Sequence, residues 1–256
     1  MSVLSSDIGE TLRVEQIAKS FGGLTVFQDI SFEIKPGALL GVIGPNGAGK
    51  TTMINTISGR LQLSSGRVML GNARVDGQSV FDNTKRGLVR SFQQTANFSG
   101  YTVEDNLTSA LRFSGQDRSS LSRLTPLLDR FGLIEHWNRN AEILPYGLQK
   151  MLGLTMALAT KPRMLLLDEP AAGLEKSERT NVDVYVQYAR DEVGCGVMLV
   201  EHDMDLIKRL CREVIVLDGG RLIAQGEPSD VLNRKDVIDA YLGGADDEDE
   251  HHAQHS

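Results

Sequence analysis

The sequence predicts an α/β fold wound around a largely parallel sheet and interrupted by a mainly helical insertion. Short apolar runs at 38–43, 163–167, 197–200 and 214–217 have the length of buried strands. Helical patterns follow the first and third of these runs, and strands that alternate with helices are the mark of a parallel sheet. Between about 102 and 131 the pattern changes: Val103, Leu107, Ala110 and Leu111 recur at helical spacing, and so do Leu121, Leu124, Leu127, Leu128 and Phe131.

The first ~90 residues read as mixed strands. Ile30, Phe32 and Ile34 alternate with Ser31, Glu33 and Lys35, the pattern of a half-buried strand. Pro36-Gly37 makes a turn before the apolar strand Ala38–Ile43. Then comes GPNGAGKT, Gly44 to Thr51, which has the G-x-x-x-x-G-K-[ST] form of a phosphate-binding loop. The chemistry needs these residue types at this spacing. Gly44, Gly47 and Gly49 permit a tight turn with no Cβ in the way, so the backbone N–H groups that follow Pro45, those of Asn46 and Ala48 among them, can form an anion nest. Lys50 brings a point charge to the β- and γ-phosphates, and Thr51 offers a hydroxyl to Mg²⁺. The helix pattern from Thr52 to Ile57 aims its N-terminal dipole at the same place.

A strand is expected over Leu88–Phe92, ending at Gln93, whose amide could touch both Mg²⁺ and an attacking water; Gln94 is an equally placed rival by spacing. After the insertion, read as roughly 95–160, the apolar run Arg163–Leu167 ends in Asp168-Glu169-Pro170. An aspartate at such a strand end holds Mg²⁺ in phosphate-loop enzymes, and the adjacent Glu169 is the natural general base for water. Val197–Val200 reads as a strand, with His202 just beyond it in reach of a γ-phosphate. Asp203–Leu210 reads as a helix and Val214–Leu217 as a further strand.

Bulk properties exclude several classes. The net charge is −7, and Asp246–Glu250 supplies five of those negatives, so the rest of the chain is close to neutral. No basic footprint for nucleic acid appears. No run of 18 apolar residues exists to span a membrane, and the opening MSVLSSDIGE lacks the pattern of a secretory signal. Cys195 and Cys211 have neither disulfide-framework nor metal spacing and are expected to be reduced. The tail 244–256 reads as a solvated acidic end whose His251, His252 and His255 bind metal at most weakly.

In this order the loop, Gln93, helical insertion, Asp168-Glu169 and His202 resemble the ATP-binding-cassette (ABC) ATPases over about residues 10–243. IGPNGAGKTT, RSFQQ, LPYGLQK, LLLDEPAAGLEKSE, LVEHDMDLI and DVIDAYLGG are similar to the ATPase subunits of branched-chain amino-acid (Liv-type) importers. The resemblance implies a cassette core over 11–94 and 161–243 with an antiparallel β part near its start. It also implies a tail at 1–10 and a helical subdomain over 95–160. It assigns Phe21 to stacking on adenine, with Phe27 a weaker competitor and core packing the alternative. Gly44 to Thr52 would cradle ATP; Thr51, Gln93 and Asp168 would serve Mg²⁺; Glu169 would polarise water and His202 contact the γ-phosphate. Family members work as head-to-tail dimers, and Ala172–Glu175 falls where their dimer-contact loop lies.

The common signature LSGGQ is here Leu144-Pro145-Tyr146-Gly147-Leu148. Pro145 removes a serine hydroxyl and amide that would reach the partner's ATP, although proline suits the first turn of a helix and leaves the dipole in place. The resemblance implies an importer of branched-chain amino acids or related small polar or amide solutes. It implies as partners a second ATPase subunit, transmembrane permease subunits and an extracytoplasmic solute-binding protein, with this chain peripheral on the cytoplasmic face. An ATPase of a lipid or lipopolysaccharide exporter and a soluble ABC ATPase of repair or translation are the alternatives. Phe98 and Tyr101, flanking Gly100, are expected either to form the coupling surface or to pack the insertion.

Overall fold

The computed structural model describes residues 10–91 and 97–242. Strands β1 (Leu12–Phe21) and β2 (Leu24–Ile34) form a hairpin across Gly22-Gly23, with Phe21 opposite Leu24. Ile30, Phe32 and Ile34 point inward while Ser31 and Glu33 stay in solvent, as their alternation predicts. β3 (Leu39–Ile43) runs into the glycine loop and α1 (Lys50–Ile57), which starts two residues earlier than its apolar pattern. β4 (Ser65–Leu70), β5 (Ala73–Arg74), α2 (Val80–Lys85) and β6 (Leu88–Arg90) follow. The expected strand to Phe92 therefore stops at Arg90, whose side chain turns inward to an ion pair described below; Phe92 lies outside the described residues.

The insertion contributes α3 (Val103–Phe113), closed by a capping box between Thr102 and Asp105. The apolar series 121–131 is not one helix. A 3₁₀ segment (Arg118–Leu124) gives way to α4 (Thr125–Arg130), because Pro126 has no amide with which to continue the preceding turn. The long α5 (Tyr146–Ala159) ends the insertion. β7 (Met164–Asp168), α6 (Arg179–Asp191), β8 (Gly196–Val200), α7 (Met204–Leu210), β9 (Glu213–Asp218), β10 (Arg221–Gly226), α8 (Pro228–Val231) and α9 (235–242) complete the order. Asp203 caps α7 through Asp205 and Leu206 rather than belonging to it.

β2-β1-β4-β5 form an antiparallel sheet, and β10-β9-β3-β8-β7-β6 a second one that is parallel except for edge strand β10. Every residue of β3, β7 and β8 is buried, as a parallel sheet covered on both faces requires. The pleat sorts them into two cores. Leu39, Ile43, Leu165, Leu167, Val197, Leu199, Val214 and Val216 pack with α3, α5 and α6. Leu40, Val42, Met164, Leu166, Met198, Val200, Ile215 and Leu217 pack with α1 and the antiparallel sheet. The carboxyl ends of β3, β7 and β8 thus meet at one edge between two rigid layers.

Candidate active site

The glycine loop needs glycine for two reasons, a close approach at Gly44 and left-handed backbone at Gly47 and Gly49. A Cβ on Gly44 would sit 2.1 Å from the Leu217 carbonyl of β9. Gly47 and Gly49 have φ of +79° and +95°, in the left-handed region that favours glycine. Lys50 is buried and folds back over the loop, donating from Nζ to the carbonyls of Gly44 (2.7 Å) and Pro45 (2.9 Å). Burial pulls its pKa down while Glu169 and Asp168 push it up. The Ala48 amide closes the turn on Pro45, and Asn46 lies at its tip. No side chain caps α1 and no acid sits in its first turn, so Thr51 and Thr52 begin a helix whose positive end is open to an anion. Thr51 is exposed and Thr52 half-buried.

Asp168 ends β7 fully buried, at 0% exposure. Arg90 of β6 donates to its Oδ2 at 2.9 Å and also reaches the Asn55 side chain in α1. Burial raises the Asp168 carboxyl above its usual range, and Arg90 opposes that shift. Its other oxygen, Oδ1, is buried without a hydrogen-bond partner among the described residues. A buried, unpartnered carboxylate oxygen calls for a ligand, and a hard divalent cation fits it. Gln93 and Gln94 lie outside the described residues.

Glu169 follows in a left-handed conformation, φ +48°, which costs a residue with a Cβ roughly 1–3 kcal/mol. Its amide is tied to the Val200 carbonyl at 2.9 Å, and its Oε1 lies 2.8 Å from Nε2 of exposed His202. With Glu169 ionised, Nε2 is the donor. β7 and β8 therefore deliver the acid and the histidine to one another, beside Lys50.

The predicted signature residues stand at the start of α5. Leu144 is buried, Tyr146 exposed and Leu148 half-buried. Pro145 is the residue before the first helical turn, not within it as proline's preference suggests. Its ψ of 146° is extended, and its carbonyl accepts the first helical bond from Gln149. No side chain caps the first-turn amides. A Cβ on Gly147 would fall 2.1 Å from Glu178 Oε1, so that flexible side chain would have to swing away; Tyr146 lies against Gly173 in the Ala172–Glu175 loop.

Phe21 is 49% exposed at the β1–β2 hairpin with the Lys19 ammonium 4.5 Å from its ring centre, which removes the core-packing alternative; Phe27 is the core aromatic. Phe98 and Tyr101 are both exposed, their rings 5.8 Å apart, and so are not buried in the insertion. Phe98 helps to line a cleft of about 260 Å³ with Val80, Val89, Ala110, Phe113 and Met156. Cys195 and Cys211 are free and buried, their thiols pushed up to about 12 by burial. Sequence reasoning missed Arg90, Asn55, Lys150 and Glu201. The available signal was a charge at the end of an apolar run, as in Leu88-Val89-Arg90 and Leu199-Val200-Glu201.

A largely parallel sheet that sets a glycine-rich loop, its lysine and a strand-end Asp-Glu pair at one edge defines a phosphate-loop nucleoside triphosphatase. Residues 27–172 match the ABC transporter family model, and the chain belongs to that family: it is an ATP-binding, ATP-hydrolysing subunit of a membrane transporter. Residues 221–247 match the model of the branched-chain amino acid ATP-binding cassette transporter. The chain is 35% identical over 250 residues to the high-affinity branched-chain amino acid transport ATP-binding protein LivG of Escherichia coli (strain K12), covering 91% of this chain and 98% of that one. To BraF of Pseudomonas aeruginosa, which bears the same description, it is 32% identical over 250 residues, with the same coverage. Among solved structures, an ATP-binding cassette of an ABC transporter in its ADP conformation superposes with TM-score 0.80 at 28% identity, covering 91% of this chain and 99% of that one. A nucleotide-free cassette gives 0.79 at 26%, covering 90% and 98%.

Proposed function

We propose that this chain drives the import of branched-chain amino acids, or related small polar or amide solutes, from the cytoplasmic face of the membrane. The observation that carries the reading is the match of residues 221–247 to the branched-chain cassette model, next to relatives named for that transport. Among the described residues no helix is long and apolar enough to cross a membrane; in this reading transmembrane permease subunits supply the path, as membership of the transporter family supports. An extracytoplasmic solute-binding protein would deliver the cargo. The exposed Phe98 and Tyr101, beside their apolar cleft, are the surface we assign to the permease.

In this reading adenine stacks on Phe21, and the amides from Gly44 to Thr52 receive the phosphates. Lys50 trades its two carbonyl bonds for phosphate oxygens, a charge-assisted exchange. Thr51, Gln93 and Asp168 would hold Mg²⁺, with the orphaned Asp168 Oδ1 as its anchor. When bound, Mg²⁺ offsets the negative charge that develops on the transferring phosphoryl group. Glu169 accepts a proton from the attacking water, and His202 turns its Nε2–H from Glu169 toward the γ-phosphate. The uncapped first turn of α5, led by Pro145, serves the ATP of a second ATPase subunit in a head-to-tail dimer.

The test is reconstitution of the transporter in liposomes with its solute-binding protein, followed by ATP-driven uptake of labelled leucine, isoleucine and valine. Uptake should fall with turnover in Glu169→Gln, by about 10²–10⁴-fold, while nucleotide binding persists. ATP-driven outward movement of lipid without solute uptake would overturn the import reading. Full turnover in Glu169→Gln would overturn the role given to that residue.

A further inference from the structure

The turn that carries Glu169 is held by two buried charges outside the site described so far. Residues 169–172 form a tight turn closed by the Ala172 amide on the Glu169 carbonyl at 3.1 Å. The Lys150 ammonium, on a residue 5% exposed, sits on the first and last carbonyls of that turn: Ala172 at 2.5 Å and Glu169 at 3.3 Å. Glu201, 4% exposed, accepts the Ala171 amide of the turn at 2.9 Å and, outside the turn, the His202 amide at 3.3 Å. The cation thus takes the carbonyls at the two ends of the turn, and the anion takes the amide of Ala171 between them. Burying two opposite charges is a poor route to stability, since apolar residues of the same size do as well or better. Their retention points to a positional role.

Where Lys150 is rooted gives that role its content. It lies in α5 one turn beyond Tyr146 and Gly147, in the helix whose open first turn belongs to the partner's ATP. Any shift of α5 when that ATP is gripped moves the Lys150 stem, and with it the two carbonyls it holds. Glu169, already strained at φ +48°, has little freedom to absorb such a shift. Tyr146 against Gly173 and Glu178 against Gly147 make a second contact between the same two segments.

We infer that Lys150 and Glu201 are positioning residues that couple the LPYGL helix to Glu169 of the same chain, so that engagement of the partner's ATP aligns this chain's own water-polarising carboxylate. The inference rests on the reading of Glu169 given above. The test is steady-state ATP hydrolysis by the reconstituted transporter carrying Lys150→Met, Lys150→Arg and Glu201→Gln, each also in a Glu169→Gln background. Lys150→Met should lower kcat by about 10–10²-fold, the cost of a misplaced reacting group, and leave the KM for MgATP within about twofold. Lys150→Arg, which keeps the charge, should recover most of that loss. In the Glu169→Gln background Lys150→Met should cause no further drop, because both changes act through one carboxylate.

Equal losses in the two backgrounds would show a general structural defect and overturn the inference. So would an unchanged kcat in Lys150→Met. If Lys150→Met does not fold, Glu201→Gln decides: it keeps an acceptor for Ala171 and loses the charge, and it should reproduce the fall in kcat at constant KM. An unchanged kcat there also overturns the inference. Full turnover in Glu169→Gln alone is a separate result that fails the earlier reading and not this one.

Discussion

Arg90→Met tests whether the buried pair with Asp168 sustains this site. Among the described residues the Asp168 carboxylate has one hydrogen-bond partner, the Arg90 guanidinium at 2.9 Å, and side-chain exposures of 0% and 6% leave little access for water to replace it. Its second oxygen already lacks a partner, and Arg90 also holds Asn55 of α1. Removing one member of such a pair leaves an uncompensated buried charge, at a cost of about 3–5 kcal/mol. For a chain of this size each kcal/mol shifts the melting temperature by about 2–4 °C, so a fall of about 10 °C is expected. Burial already raises the Asp168 carboxyl, and loss of Arg90 removes the main force that opposes it. The deficit should therefore be full at neutral pH and shrink as pH falls into the range where Asp168 protonates. The assay is thermal and denaturant unfolding of Arg90→Met in the parent and in Asp168→Asn, where no charge needs compensation. A coupling of about 2–3 kcal/mol between the two positions is expected. An equal loss in both backgrounds would refute the argument.

Gly44→Ala places a Cβ 2.1 Å from the Leu217 carbonyl, so the loop must move; nucleotide affinity measured by calorimetry should fall by at least about tenfold. Burial raises the Glu201 carboxyl, so the stability it contributes is full below its unfolded pKa and declines as pH rises through the folded one. Glu201→Gln has no such titration, and the melting temperature of the parent minus that of the variant should fall as pH increases from 4 to 8. Phe98→Ala should reduce coupled transport by about tenfold while ATP binding by the chain stays within about twofold, measured in the same liposomes.

Strand ends and the glycine loop were legible because each has a local signature. Four apolar residues, Met164 to Leu167, followed by Asp168-Glu169 can be read without knowing what packs on them, and the structure brings Lys50, Asp168, Glu169 and His202 to one edge. Phe21 was ambiguous between core and surface until its exposure decided. Arg90 and Glu201 stood out only as charges ending apolar runs; their roles, like that of Lys150, were not legible, since the partners of Arg90, Lys150 and Glu201 lie 78, 22 and 30 residues away in the chain. Lys150 shares the buried face of α5 with Leu154 and Ala157, a position where the helical pattern alone expects an apolar residue. The break at Pro126 is a local effect that periodicity overlooks, because apolar spacing continues across it.

The division of the parallel sheet into two cores has a consequence for fidelity. In β7, Met164, Leu166 and Asp168 share one face and Leu165 and Leu167 the other. Arg90 pairs in register with Leu166, which sets it on the Asp168 side toward α1. A slip of β7 by one residue would exchange its two apolar sets and turn the carboxylate toward α5, away from Arg90 and the phosphate loop. Both sets are apolar, so the hydrophobic layers alone would tolerate the exchange; the cost of the slip falls on the buried carboxylate and guanidinium, each left without the other. The aim of a single acidic side chain is therefore proofread by its own counter-ion, and an error in the chemistry cannot arise there without first becoming an error in folding.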